Sequence, residues 1–249
     1  MIGELERSGN GTPCDVGSDV RSDSALRERR RLSNEELLKQ LKDSTLGEQL
    51  HEITLNDGLL SRMSLPQPVR EDRLGEVLLQ PRFVVEQERA DGSVKLRAVD
   101  HFSWSSERQR KLHSVNGHTF PTEKLTHDTL DQLAEAMRRL VDRGKFLPGL
   151  LKADIDSAYR RIPIMPSHRW ACGVAYRVHG EAMWAVHHAC PFGALASVHA
   201  WERIGAALCF LGRKLLNLAL LRFVDDFFAP DRYCSFRRSY GCALFWLQA

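Results

Sequence analysis

Two periods of hydrophobic residues run along this chain, and the points where one gives way to the other mark out its elements. Residues 81–100 read as a β-hairpin, with Phe83-Val84-Val85 as one strand, Ala90-Asp91-Gly92-Ser93 as the turn and Lys95 to Val99 as the return. Leu130, Leu133, Met137, Leu140 and Val141 recur at helical spacing. They predict a helix over about 126–143, capped by Thr126 or Asp128 and ended by Gly144 at the C′ position. An apolar run through Leu150 and Leu151 predicts a strand leading into Asp154, followed by a short helix from Ser157 to Arg161 that stops before Pro163. Residues 169–188 predict a second hairpin that turns at His179-Gly180. Val198, Trp201, Ile204, Leu208, Leu211 and Leu215 form the stripe of a long helix opening at Cys190 to Ser197 and backing the sheet over about 197–215. Leu220 to Ala229 then reads as strand, tight turn and strand, with Asp225 and Asp226 at the turn.

The first third is patterned less strongly. Residues 1 to about 30 are rich in Gly, Ser, Asp and Arg and predict disorder. Ser33, with Glu36 three residues on, reads as a capping box opening a helix near 33–43 that carries Leu37, Leu38 and Leu41. Asn56-Asp57-Gly58 and Pro66-Gln67-Pro68 punctuate the next segment, so the compact region is expected to begin near residue 60–75. The predicted division is an N-terminal region, 1–70, and a folded region, 71–249.

Composition changes this picture little. The chain has 249 residues, 43% of them hydrophobic, enough for a sizeable core in one large domain or two small ones. A formal charge of +3 permits a nucleic-acid partner without demanding one. No apolar run is long enough to span a membrane, and Met1 to Pro13 lacks the apolar core of a signal peptide. An intracellular protein, of nucleus or cytoplasm, is expected. Cys14, Cys172, Cys190, Cys209, Cys234 and Cys242 form no CxxC pair and read as reduced thiols. Cys172, His179, His187, His188 and Cys190 are zinc-ligand types, but their spacing matches no common zinc motif.

The chemistry concentrates in acids between apolar runs. Paired carboxylates are costly to bury unless something cationic balances them. Asp225-Asp226 at a hairpin tip is well placed to hold a divalent metal, although a lone acidic pair also suits a calcium-binding or structural turn. The strand ending in Asp154-Ile155-Asp156 supplies a second acidic position, and Pro191-Phe192-Gly193 supplies a turn between the two.

In this order the elements resemble the palm of reverse transcriptases of retroelement type. Asp154-Ile155-Asp156-Ser157-Ala158-Tyr159-Arg160-Arg161-Ile162-Pro163 is similar to the family's first catalytic motif. Pro191-Phe192-Gly193 with Ser197 is similar to the second, and Phe223-Val224-Asp225-Asp226 to the third. Lys95 to Asp100 is similar to the basic fingers motif, and the likeness covers roughly residues 75–235. Arg97 stands one residue closer to Asp100 than is usual in retroviral members.

The resemblance implies an α/β (α+β) right-hand polymerase palm, an antiparallel sheet backed by helices, with a fingers β-hairpin. It implies an RNA-directed DNA polymerase that joins dNTPs to a DNA primer on an RNA template with two Mg²⁺ ions, Mn²⁺ being a possible substitute. Asp154, Asp225 and Asp226 would be catalytic, with the Ile155 carbonyl completing the metal shell. Arg97 would bind the triphosphate, with Lys95 or Arg82 as weaker candidates. Ser157, Tyr159, Phe192 and Gly193 would line the nucleotide site, Tyr159 favouring deoxyribose. Only 23 residues follow Asp226, so a thumb is expected to be missing. The alternatives are an inactive remnant that only binds nucleic acid or a partner, and an RNA-directed RNA polymerase.

Overall fold

The computed structural model describes residues 26–105, 114–121, 124–145 and 147–232. The expectations for residues 1–25 and for the chain after Arg232 lie outside these, as do Cys14, Cys234 and Cys242. The chain divides into two compact units, one of Met1–Thr122 with Tyr159–Ala200, the other of Glu123–Ala158 with Trp201–Ala249. Both mix helix and strand, as the expected mixed α/β class requires.

The first unit holds helices α1 (Arg30–Gln40) and α2 (Gly47–Leu59) and strands β1 (Gln67–Pro68), β2 (Leu79–Glu88) and β3 (Val94–Asp100). It also holds β5 (Gly173–Val178) and β6 (Glu181–Val186). The sheet runs β1-β6-β5-β2-β3, with β2 and β5 parallel and the other neighbours antiparallel. Strand β2 changes character along its length. Leu79 and Gln80, beside β5, are buried, whereas Glu86 to Glu88 pair with β3 alone and face solvent. The hairpin expected over 81–100 is thus present, with its outer half exposed.

The turn between β5 and β6 is the predicted His179-Gly180, with both residues at positive φ (52° and 80°). That is the type I′ arrangement that matches strand twist.

Helix α1 starts at Arg30, so Ser33 lies inside it and caps nothing. The reason is tertiary: Ser33, Asn34 and Leu37 face inward, and the Asn34 side chain is fully enclosed. Its Nδ2 donates to the carbonyls of Leu74 and Val77, both at 2.7 Å, and its Oδ1 accepts from the Leu79 amide at 2.8 Å. Leu37 packs with Leu79, Ala175 and Trp184, and Leu50 of α2 with Tyr176 and Met183. The compact region therefore reaches back to α1, earlier than the hydrophobic pattern alone suggested.

The second unit holds α3 (Leu130–Gly144), β4 (Pro148–Asp154), β7 (Leu221–Phe223) and β8 (Asp226–Arg232). Most of α4 (Leu195–Leu215), from Trp201 onward, belongs to it as well. Its sheet is antiparallel in the order β4-β8-β7. Helix α3 begins later than expected because Thr129, not Thr126 or Asp128, forms the capping box with Gln132. It ends on Lys145 in the left-handed region, with Gly144 as its last helical residue.

Candidate functional site

The exposed face of the three-stranded sheet gathers the acids. Along β4 the buried residues are Leu151, Ala153 and then Ile155, so Lys152, Asp154 and Asp156 point the other way. Residues facing each other across a ladder share a side of the sheet. Asp154 pairs with Asp226 and Lys152 with Phe228 on β8, and Asp226 pairs with Phe223 on β7. Asp154 and Asp226 are therefore direct cross-strand neighbours. At roughly 4.5–5.5 Å between Cβ atoms, like charges so placed repel and weaken a sheet.

Lys152 answers part of that charge. Its Nζ lies 2.9 Å from Asp226 Oδ2 and 5.8 Å from the centre of the Phe228 ring. The hydrogen bond and charge of Asp226 hold the Lys152 ammonium above its ordinary pKa, and Asp154 and Asp225 add to the effect. All three carboxylates thus act on one ammonium. The Asp225 carbonyl accepts from the Ile155 amide at 3.4 Å, which ties the acid turn to the end of β4.

Asp154, Asp225 and Asp226 fit a hard divalent cation in donor type and in strand placement. Among the described residues no set of three His, Cys, Asp or Glu side chains already stands in a metal-holding arrangement. The Ile155 carbonyl, an expected fourth ligand, accepts from the Ala158 amide at 3.3 Å. Ser157 has a positive φ of 56° and its hydroxyl donates to Asp156 Oδ1 at 3.1 Å.

The turn carrying Asp225 is unusual. Val224 and Asp225 link the paired residues Phe223 and Asp226, and Val224 has φ +55° while Asp225 does not share the positive sign. A positive φ at the first central residue alone is the type II′ pattern, which favours glycine there. A β-branched residue in that region is an outlier costing on the order of 1–2 kcal/mol. The Val224 carbonyl accepts from Trp201 Nε1 at 2.8 Å and from Arg222 Nη1 at 2.9 Å. Arg222 is buried and its Nη2 lies 2.7 Å from the Glu202 carboxylate. Burial works against the charged form of Glu202, but the hydrogen bond and charge of Arg222 outweigh it and lower its pKa. Thr126 donates to the other Glu202 oxygen through its amide and its hydroxyl, both at 3.3 Å. Gly205 leaves the space Arg222 occupies, since a Cβ there would lie 2.8–3.0 Å from the Cδ, Nε and Cζ atoms of that arginine.

The first unit holds the remaining expected site residues. Tyr159 is 8% exposed and meets Phe192, 44% exposed, edge to face with ring centres 5.0 Å apart. Gly193 has φ +91°, and a Cβ on it would lie only 2.2 Å from the Asp100 carbonyl oxygen. The residue is glycine because the Asp100 backbone passes against it, a reason internal to the fold. Arg97 and Lys95 are exposed on β3.

Arg82 is not available for a triphosphate. It is 4% exposed, and it donates to Thr54 Oγ1 at 3.1 Å, to Asp100 at 2.9 and 3.1 Å and to Asp57 Oδ2 at 3.1 Å. Arg160 pairs with the same Asp57 oxygen and donates to His187 Nδ1 at 2.8 Å. His187 Nε2 in turn lies 3.0 Å from Asp100 Oδ2, close in distance though short of hydrogen-bond alignment. Sequence reading missed this enclosed network, and His187, one of the zinc-ligand types, belongs to it. His179, another of them, pairs with Glu48 at the surface.

Burial pushes the Asp100 carboxyl upward, yet Arg82, His187 and Arg160 outweigh it and hold the pKa at about 2. Burial lowers His187 to about 4, with Asp100 opposing and the two arginines assisting. Arginine has only donors, so Nδ1 is the acceptor and the imidazole is neutral, its proton on Nε2 facing Asp100. Arg82 and Arg160 thus meet the carboxylates of Asp57 and Asp100, and Arg62 adds a third guanidinium 4.0 Å from Asp57 Oδ1.

No known protein-family model matches the chain, and no curated protein matches it. No helix among the described residues is long and apolar enough to cross a membrane.

Proposed function

We propose that this chain is the fingers and palm region of a reverse transcriptase of retroelement type, an RNA-directed DNA polymerase acting on primer–template nucleic acid and dNTPs. The observation that carries the reading is the placement of Asp154 directly across from Asp226 on an exposed sheet face, with Asp225 on the adjoining turn. Two facing carboxylates destabilise a sheet, so a structural role is a poor account of them. A role that recruits cations is a better one.

In this reading Asp154, Asp225 and Asp226 supply hard oxygen ligands from two neighbouring strands. Bound Mg²⁺ or Mn²⁺ would supply charge neutralisation at the attacking 3′-oxygen and at the leaving pyrophosphate. Tyr159 and Phe192 form an edge-to-face apolar pair that suits a deoxyribose, and the resemblance gives Gly193 and Ser157 nucleotide-binding roles. Arg97 offers an exposed donor fork for the triphosphate.

One observation favours a second reading, a chain that binds nucleic acid without catalysis. Lys152 Nζ already engages Asp226 Oδ2 at 2.9 Å. The deciding experiment is Mg²⁺-dependent extension of a DNA primer on an RNA template, supplied with dNTPs or rNTPs. The wild-type chain should incorporate dNTPs, and Asp225→Asn should lose at least about a hundredfold, since the metal's share is several kcal/mol. No extension by wild type would overturn the enzyme reading. Preference for rNTPs would replace it with an RNA-directed RNA polymerase, and indifference to Asp225→Asn would overturn the ligand assignment.

A further inference from the structure

We infer that Trp201 and Arg222, backed by Glu202 and Gly205, form a clamp that holds the Val224–Asp225 peptide in one of two turn states and thereby fixes the backbone that carries Asp225. The mechanical part of this inference stands on the second unit alone. Its consequence for nucleotide addition rests on the polymerase reading.

Types I′ and II′ share a positive φ at the first central residue and differ in φ at the second. Interconversion therefore turns over the peptide between them, which here joins Val224 to Asp225. Reversing that peptide swings the Val224 carbonyl to the opposite side and turns the Asp225 amide N–H over with it. The sequence does not locally favour the observed state: valine is disfavoured at the first position of either turn, and Asp225, a residue type that tolerates positive φ, does not adopt one. The choice comes from outside the turn. Two donors, Trp201 Nε1 at 2.8 Å and Arg222 Nη1 at 2.9 Å, converge on the one carbonyl that would have to move.

Each donor is itself fixed. Trp201 is 3% exposed, on a helix, and its ring has little room to turn. Arg222 is also 3% exposed, and Glu202, one residue along the same helix, holds its other nitrogen at 2.7 Å. Glycine is unfavourable inside a helix by roughly 1 kcal/mol relative to alanine, and Gly205 sits in the interior of α4. The Arg222 guanidinium occupies the space its missing side chain leaves. A strained valine, a helical glycine and a buried ion pair are separately unfavourable features. They share one purpose here. Trp201 and Arg222 are positioning residues, acting on Asp225 through the backbone.

The test is hydrogen exchange of the β7–β8 segment, 221–232, with the β2–β3 hairpin as internal control. Trp201→Phe keeps the ring and deletes one donor. It should speed exchange of that segment about fivefold to tenfold, the factor that loss of one hydrogen bond to a buried group commands. Gly205→Ala, which displaces Arg222, should act in the same direction. In a Val224→Gly background the turn adopts type II′ without help, so the effect of Trp201→Phe should shrink to under about twofold. A merely structural tryptophan would not be rescued this way. Unchanged exchange in both single variants, or an equal effect in both backgrounds, would overturn the clamp. Primer extension on the same proteins separates the two ideas. With the polymerase reading correct, Trp201→Phe lowers kcat while KM for dNTP stays within about twofold. A wild type that shows the exchange pattern but no extension refutes the polymerase reading and leaves the clamp standing.

Discussion

Acid should unfold this protein from inside, through His187. The perturbation is a fall in pH from 7 to 4. In the folded chain His187 is wholly enclosed, accepts from Arg160 on Nδ1, and titrates at about 4, against an ordinary value near 6.5. Protonating Nδ1 would set an N–H against the Arg160 N–H and add a further positive charge to a network that already holds Arg62, Arg82 and Arg160. Because the folded pKa is depressed, the unfolded chain binds the extra proton first. Stability contributed by the neutral imidazole is therefore complete above about pH 6.5 and is lost as pH falls toward 4. One pKa unit corresponds to about 1.4 kcal/mol, so His187 alone removes about 3 kcal/mol across that window. Asp100, held at about 2, extends the loss below its ordinary value near 3.8 in the same direction. The assay is urea unfolding at pH 7, 5.5 and 4 for wild type and His187→Gln. The substitution lowers stability at pH 7, but the decline between pH 6.5 and 4 should be shallower by about 3 kcal/mol. Parallel pH profiles for the two proteins would refute the assignment of the slope to His187.

Two other substitutions have outcomes set by close packing. Gly193→Ala meets both a positive φ and the Asp100 carbonyl at 2.2 Å, so it should cost about 2–4 kcal/mol in chemical denaturation. Asn34→Asp keeps the shape of the side chain but turns a donor that serves two carbonyls into an acceptor; it should destabilise by about 3 kcal/mol or more at pH 7, visible as a lower melting temperature.

What the chain declares locally, it declares well. The hairpins around Asp91-Gly92 and His179-Gly180 are legible because their turn residues and their alternation act within a few positions. The α3 and α4 stripes are legible for the same reason, at helical period. The acids Asp154, Asp225 and Asp226 stand out because carboxylates among apolar runs break the pattern. Local cues fail where a partner lies far along the chain. Ser33 reads as a cap until Asn34 and Leu37 are seen buried against residues 74–79 and β5, which carries the helix through it. Arg82 reads as a weaker candidate for the triphosphate until Asp57, Asp100 and Thr54 close round it. Nothing near Val224 signals a left-handed residue, because its support comes from Trp201 and Arg222. The sequence by itself determined the two hairpins, the α3 and α4 stripes and where charge concentrates, but it missed α2, which runs through the Asn56-Asp57-Gly58 stretch read as a break. Only the tertiary structure decided which polar groups are enclosed and which stay exposed, because the energy of a buried charge depends on partners that short-range spacing cannot name.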